Sequence, residues 1–158
     1  MDDCLVPTMP FSPAKSHLSE VMTEVFHAHR MRVVSRHGGK EQMFLVSPAD
    51  LVAMLGDQRI DVQAVYDDGQ VTLRVPEMGV LGFGETLDAA IDDLLVELHE
   101  YAGRYFREPA RFLATSRASH AAALLRFALV PEDEQRSMLL GSDNVRSIAQ
   151  GPALTLAR

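Results

Sequence analysis

The sequence predicts an α+β fold assembled from short strands and capped amphipathic helices. Three observations carry this expectation. Val- and Ile-containing runs bounded by turn residues occur at 31–46 and 60–83, the later ones alternating with a period of two. Ser or Thr, followed by proline or an acid, opens stretches whose apolar residues recur with helical spacing. Hydrophobic residues make up 47% of the 158, enough for a folded core rather than global disorder. That length suits one domain or two small ones.

The first strand is expected at Thr8 to Phe11. Ser12-Pro13 then reads as a helix start, with Ser12 capping free N–H groups and Pro13 at the first helical position. Leu18, Val21, Met22, Val25 and Phe26 fall on one face of that helix. Met31 to Arg36 and Gln42 to Val46 form a hairpin around His37-Gly38-Gly39-Lys40. Ser47-Pro48-Ala49-Asp50 starts a second helix, close to a capping box, and Gly56 suits its end. A unit of 56 residues buries too little surface to be stable alone, so it calls for a partner surface, either a second copy or the rest of the chain.

In the middle of the chain, Ile60, Val62, Ala64 and Tyr66 alternate with polar neighbours, Asp67-Asp68-Gly69 turns, and Val71, Leu73 and Val75 return. Pro76 ends that strand, Gly79 allows a further turn, and Val80 to Phe83 supplies a third strand. Thr86 caps a long helix with Leu87, Ala90, Ile91, Leu94, Leu95, Leu98 and Tyr105 inward. Asp88, Asp92, Asp93, Glu97 and Glu100 are expected on its solvent side, the early ones also suiting the helix dipole.

Arg107-Glu108-Pro109 breaks that helix and can start another, anchored by Phe112 and Leu113. Ser119 to Val130 is strongly helical, with Ala122, Leu125 and Leu129 on one side and Leu124 and Phe127 nearby. Pro131 and three following acids open a last helix that Gly141 closes. Residues 142–158 lack periodicity and are expected to be a tail.

Charge and composition exclude several functions. The net charge is −7, yet residues 1–56 hold five basic against six acidic side chains and residues 108–158 six against five. Residues 57–107 hold four against eleven, so the acidity sits in the middle third, which should repel nucleic acid and attract a basic partner. No apolar run reaches the roughly 18 residues of a membrane span. The N-terminus has no signal-peptide character, and one cysteine, Cys4, permits neither an internal disulfide nor a cysteine zinc site. The reducing cytoplasm is the expected compartment.

His27 and His29 face different sides of a helix and do not chelate. Asp67, Asp68, Glu85, Asp88, Asp92 and Asp93 are turn and surface acids rather than a two-metal nuclease site. Glycines 79, 82 and 84 have the wrong spacing for a dinucleotide fingerprint, and no Walker motif or nucleophile–base pair is present. No cofactor and no enzymatic activity are expected.

In order, Phe11, Ser12, Ala14, Lys15, Leu18, Ser19 and Val25, then Val33, Val34, Arg36, Gly38, Phe44, Leu45, Val46 and Ser47, resemble the Phd/YefM family of bacterial antitoxin–repressors across residues 9–56. That resemblance implies a dimer on palindromic operator DNA. Lys15 stands where the family has a DNA-contacting arginine, and Arg36 matches the arginine that ends the second strand. Lysine lacks the bidentate fork for guanine. A place in the first helical turn would favour phosphate at Lys15. Ser16 and His17 are adjacent candidates, with Arg36, His37 and Lys40 flanking from the hairpin.

Val71, Leu73, Val75, Pro76, Gly84, Thr86, Leu87, Ala90, Ile91 and Leu94 resemble the HicB-like antitoxin module, with Ala89 where that family has glutamate. The implied fold is a truncated RNase H-like layer without nuclease chemistry. The expected organisation is a DNA-binding and dimerisation unit at 1–56 and a HicB-like module at 57–107. A helical extension at 108–141 and a tail at 142–158 follow, and the extension or the acidic middle helix is the candidate toxin-binding element. The implied function is neutralisation of a small, basic, RelE-like toxin together with repression of its own operon. The alternatives are a regulator without a toxin, or an oligomeric scaffold or sensor that does not bind DNA.

Overall fold

The computed structural model describes residues 5–141 and the backbone of residues 145–147. The chain divides into two compact units, residues 1–56 and 57–158, and is mixed α+β with two small sheets and seven α-helices among the described residues.

The first unit runs β1 (Thr8–Pro10), α1 (Phe11–Ser16), α2 (Leu18–His27), β2 (Arg32–Arg36), β3 (Glu41–Leu45) and α3 (Pro48–Leu55). The two helices after β1 return the chain so that β2 lies parallel to it, Thr8 opposite Val33, and β3 pairs antiparallel on the far side of β2. His37, Gly38 and Gly39 turn the hairpin with φ of 52°, 67° and 85°, a run of left-handed residues that two glycines make inexpensive.

The first helix departs from the expectation. It begins at Phe11 behind Pro10, which makes no side-chain cap, so Ser12 is inside the helix rather than its N-cap. Thr8–Pro10 is held extended by its ladder with β2, and the helix starts where that ladder ends. At His17 (φ −117°, ψ 31°) it bends, although Val21 N–H still reaches the His17 carbonyl at 3.0 Å. Ser16 Oγ donates to the Ser12 carbonyl at 3.1 Å, a back-bond of the kind that bends helices.

The expected apolar face of α2 is divided. Val21 and Val25 are buried, whereas Leu18, Met22 and Phe26 are at least half exposed, as are Met43 and Met54, with Phe11 and Phe44 only slightly less so. Side-chain links tie the small unit together. Ser47 Oγ donates to Asp50 Oδ2 at 2.5 Å and accepts from Asp50 N–H at 3.1 Å, while His29 Nδ1 sits 2.9 Å from Asp50 Oδ1. Arg32 donates to Glu24 at 2.5 Å. The Ser47 hydroxyl first, and His29 after it, hold the Asp50 carboxyl below its ordinary value. The hydrogen bond and charge of Arg32 do the same for Glu24.

The second unit is a meander of β4 (Val62–Asp67), β5 (Gln70–Val75) and β6 (Val80–Gly84), covered on one face by α4 (Leu87–Arg107). Asp68 and Gly69, both at positive φ, close the tight turn opposite the Asp67–Gln70 pair. Thr86 caps α4 by accepting from Ala89 N–H at 3.1 Å. Gly82 and Gly84 let α4 lie directly on β6: a methyl at Gly82 would come within 2.5 Å of Leu94 N, and one at Gly84 within 2.4 Å of Ala90 N.

Three short elements, α5 (Pro109–Leu113), a 3-10 turn (Ser116–His120) and α6 (Ala121–Leu129), precede α7 (Glu132–Leu140). Phe112, Leu124, Phe127 and Leu139 share one core with the sheet and α4. The inward face of α6 is Ala123, Leu124 and Phe127, continuing from His120, and not Ala122, Leu125 and Leu129. The His120 ring nitrogen meets the buried Tyr101 hydroxyl at 2.8 Å. Buried Gln135 donates to the Phe127 and Val130 carbonyls, satisfying the end of α6, and its oxygen lies 2.7 Å from His99 Nε2.

One further expectation is extended and one corrected. The acids of α4 are exposed, as expected, and three of them also have partners: Arg136 on α7 binds Asp88 (2.7 Å) and Asp92, and Asp93 accepts the backbone N–H of Phe83 at 2.8 Å. The tail contains a strand, β7 (Val145–Ser147), parallel to β4 with Val62 opposite Val145. The outer edge of β4 offers free backbone groups, and pairing through them leaves no side-chain period to read. Residues 142–144 and 148–158 of the expected tail lie outside the described residues.

Two outcomes follow from these contacts. Gly82→Ala overpacks the α4–β6 contact and should lower the unfolding free energy by about 3 kcal/mol, measured by urea titration. Asp50 and Glu24 have depressed pKa values, so their stabilisation is complete above the ordinary carboxylate range and is lost as pH falls through the folded values. Asp50→Asn should therefore lower the neutral-pH melting temperature of the first unit and flatten its decline below about pH 4.5.

Candidate nucleic-acid interface

The hairpin turn and α1 set the geometry of the basic residues. Lys15 lies in the last turn of α1, not the first, because the helix starts at Phe11. Its argument for phosphate is therefore the side-chain charge alone, without help from helix-terminal N–H groups. Lys15, Arg36 and Lys40 nonetheless share the rim of one open groove of about 780 Å³, with Glu41 among them. The rest of the lining is mostly apolar, Phe11, Ala14, Leu18, Val34, Met43 and Leu45, with Ser35 and Gln42 among them.

The other three residues are placed differently. Ser16 has its hydroxyl turned back to the Ser12 carbonyl. His17 lines a second hollow of about 410 Å³ with Thr8, Glu20, Glu24 and Arg32, and its Nδ1 lies 3.3 Å from Glu20. His37, at the hairpin tip, is 4.0 Å from Glu41. Neither groove includes Ser16 or His37 among its lining residues.

Glu41 governs the electrostatics. It accepts a hydrogen bond from Arg36 Nε across the Arg36–Glu41 pair of the hairpin. The Arg36 guanidinium also lies 5.9 Å from the centre of the Phe11 ring, a cation–π distance. Lys15 and Lys40 form no ion pair among the described residues. The candidate surface thus holds two unneutralised lysines beside one arginine with a carboxylate partner. Sequence reasoning missed Glu41 and Phe11 as members of this cluster. The hairpin register would have revealed Glu41, since a turn at 37–40 puts residues 36 and 41 opposite each other.

Among the described residues, no three His, Cys, Asp or Glu side chains are grouped to hold a metal ion, and no helix is long and apolar enough to cross a membrane. The surface offers charge, a planar guanidinium and exposed apolar area, which are means of binding.

No curated protein matches the sequence significantly. A solved structure from Syntrophomonas wolfei subsp. wolfei, described as the antitoxin part of a toxin/antitoxin system, shares the fold with a TM-score of 0.76. The two sequences are 19% identical, and the match covers 90% of this chain and 99% of that one. The profile of the PHD-like antitoxins of RelE/RelB toxin–antitoxin systems matches residues 6–142, and the chain belongs to that antitoxin family.

Proposed function

We propose that this antitoxin neutralises a RelE-like toxin by direct protein–protein binding and represses its own operon by binding operator DNA as a dimer. Residues 1–56 act as a Phd/YefM-like dimerisation and DNA-binding unit, residues 57–107 as a HicB-like module, and the helices of 108–141 extend it. The observation that carries the DNA-binding half is the clustering of Lys15, Arg36 and Lys40 on the rim of an exposed apolar groove. Covering that groove with a second copy would bury Phe11, Leu18 and Met43, each aliphatic or aromatic side chain contributing about 1.5–3 kcal/mol if fully buried. The two basic rims would then lie on one dimer, as a palindromic site requires. Lys15 and Lys40 act as phosphate contacts. Arg36 exchanges Glu41 for the nucleic acid, and Ser16, His17 and His37 are peripheral. The acidic character of residues 57–107 complements a basic toxin.

A second reading is favoured by the charge balance of the first unit, five basic against six acidic residues, and by the Arg36–Glu41 pair. In that reading the groove only assembles copies of the chain, and DNA is not bound.

Lys15→Ala combined with Arg36→Ala separates the readings. A repressor should lose about 1–3 kcal/mol of operator affinity and about two units of the log–log salt slope, while remaining a dimer by sedimentation. Unchanged DNA binding would refute the site, and absence of binding by the unaltered chain would leave the assembly reading. Met43→Glu should dissociate the dimer, and a chain that stays dimeric removes the groove from the interface. Co-expression with the toxin should restore growth to toxin-arrested cells, and failure to do so would overturn the neutralisation half.

A further inference from the structure

β6 is the outer strand of the second sheet among the described residues, and its free edge is chemically unlike an ordinary solvent edge. In an antiparallel ladder, alternate residues direct both backbone groups away from the neighbour. Phe83 N–H is one of the outward groups, because it donates to Asp93 and not to β5. Leu81, two residues earlier, shares that phase, so its N–H and C=O also point outward, and no hydrogen bond to either is made among the described residues. One outward slot is thus closed by Asp93 and the next is open.

The two faces beside this edge differ. Gly82 and Gly84 face α4, as their close approach to Leu94 and Ala90 requires. Leu81 and Phe83 therefore project from the opposite face, 43% and 55% exposed. On the α4 side, Asp93 marks the helix stripe that borders the edge. Glu97 follows one turn later and Glu100 nearly two, all exposed. A helical turn of about 5.4 Å and a two-residue strand repeat of about 6.7 Å run nearly in step, so Glu97 is level with Leu81. Asp88 and Asp92 belong to a different stripe, already taken by Arg136.

We propose that the β6 edge is a docking site for an extended segment of a partner protein in which apolar residues alternate with lysine or arginine. The added strand pairs with the outward groups of Leu81. Its apolar side chains lie beside Leu81 and Phe83, and its basic side chains, with the opposite parity, meet Asp93, Glu97 and Glu100. A second copy pairing through its own β6 does not fit, since β6 contains no basic residue and would bring its own Asp93 against this one. The inference rests on the toxin-neutralising reading for the identity of the partner, which is then the basic toxin. The docking chemistry itself does not depend on that reading.

The test uses the full chain and a synthetic acetylated peptide of alternating lysine and valine, at low salt. Binding should slow amide exchange at Leu81, and a peptide of alternating glutamate and valine should not. Leu81→Pro removes the outward N–H without taking a ladder hydrogen bond, and should weaken binding about tenfold relative to Leu81→Ala. Glu97→Gln should weaken it less and reduce its salt dependence. Unchanged exchange at Leu81, equal binding of both peptides, or equal affinity of the Pro and Ala variants overturns the proposal. Because the exchange measurement uses the unaltered chain, misfolding of the proline variant would not rescue it. The same variants with the toxin of the operon separate the two ideas. Toxin that binds Leu81→Pro and Leu81→Ala alike overturns the edge as its site and leaves the antitoxin reading standing. Lys-Val peptide binding with no toxin binding by any form does the reverse.

Discussion

The second unit depends on the approach of α4 to β6 at Gly82 and Gly84. Without side chains at these positions, Leu94 and Ala90 rest on the strand backbone, and the whole inward stripe of the helix reaches the sheet. That contact also determines which way β6 presents its remaining side chains. Once 82 and 84 face the helix, 81 and 83 must face away, and Asp93 comes within reach of the strand edge. The far half of α4 then has Tyr101 and Tyr105 available for Phe112 and His120, around which α5, the 3-10 turn and α6 are arranged.

Most elements were legible where chemistry is local. Ser47 before Pro48, Thr86 before Leu87, Asp68-Gly69 and the glycines of the first hairpin appear in the structure with the caps and positive φ angles their types predict. Illegible features depended on contacts distant in sequence. Whether Ser12 or Phe11 starts α1 is decided by the ladder between β1 and β2, not by the Ser-Pro signal. The buried side of α6, Ala123, Leu124 and Phe127, lies next to a His120 whose partner Tyr101 is 19 residues earlier. β7 is three residues long, too short to show a period. At the candidate site, three of six basic or polar residues share a groove; Ser16 instead bonds back to the Ser12 carbonyl, and His17 and His37 lie beside Glu20 and Glu41, contacts that composition does not reveal.

The two units differ in how fully they satisfy themselves. The second buries a continuous core from Ile60 to Leu139, and its buried His120 and Gln135 have partners, although Arg126 Nε is buried without one among the described residues. The first buries few side chains and leaves Leu18, Met22, Phe26 and Met43 largely exposed. By area, its unmet stabilisation is of the kind an association supplies. An antitoxin built this way would couple the stability of its first unit to assembly, while the second unit stays folded irrespective of that equilibrium.

Both proposed contact surfaces are already occupied by a carboxylate of the same chain. Glu41 holds Arg36 at the groove, and Asp93 holds the Phe83 N–H at the β6 edge. Binding at either place is then an exchange, in which the partner must offer something better than the acid it displaces or accept the acid as part of its own site. For Arg36, a phosphate serves as the replacement anion, and Glu41 would repel it unless Lys15 and Lys40 supply compensating charge. For β6, Asp93 need not leave, because a basic side chain on the incoming strand turns the same carboxylate into an attraction. An acid that closes a site to indiscriminate pairing and opens it to a cation gives up some affinity, but it selects the partner by charge.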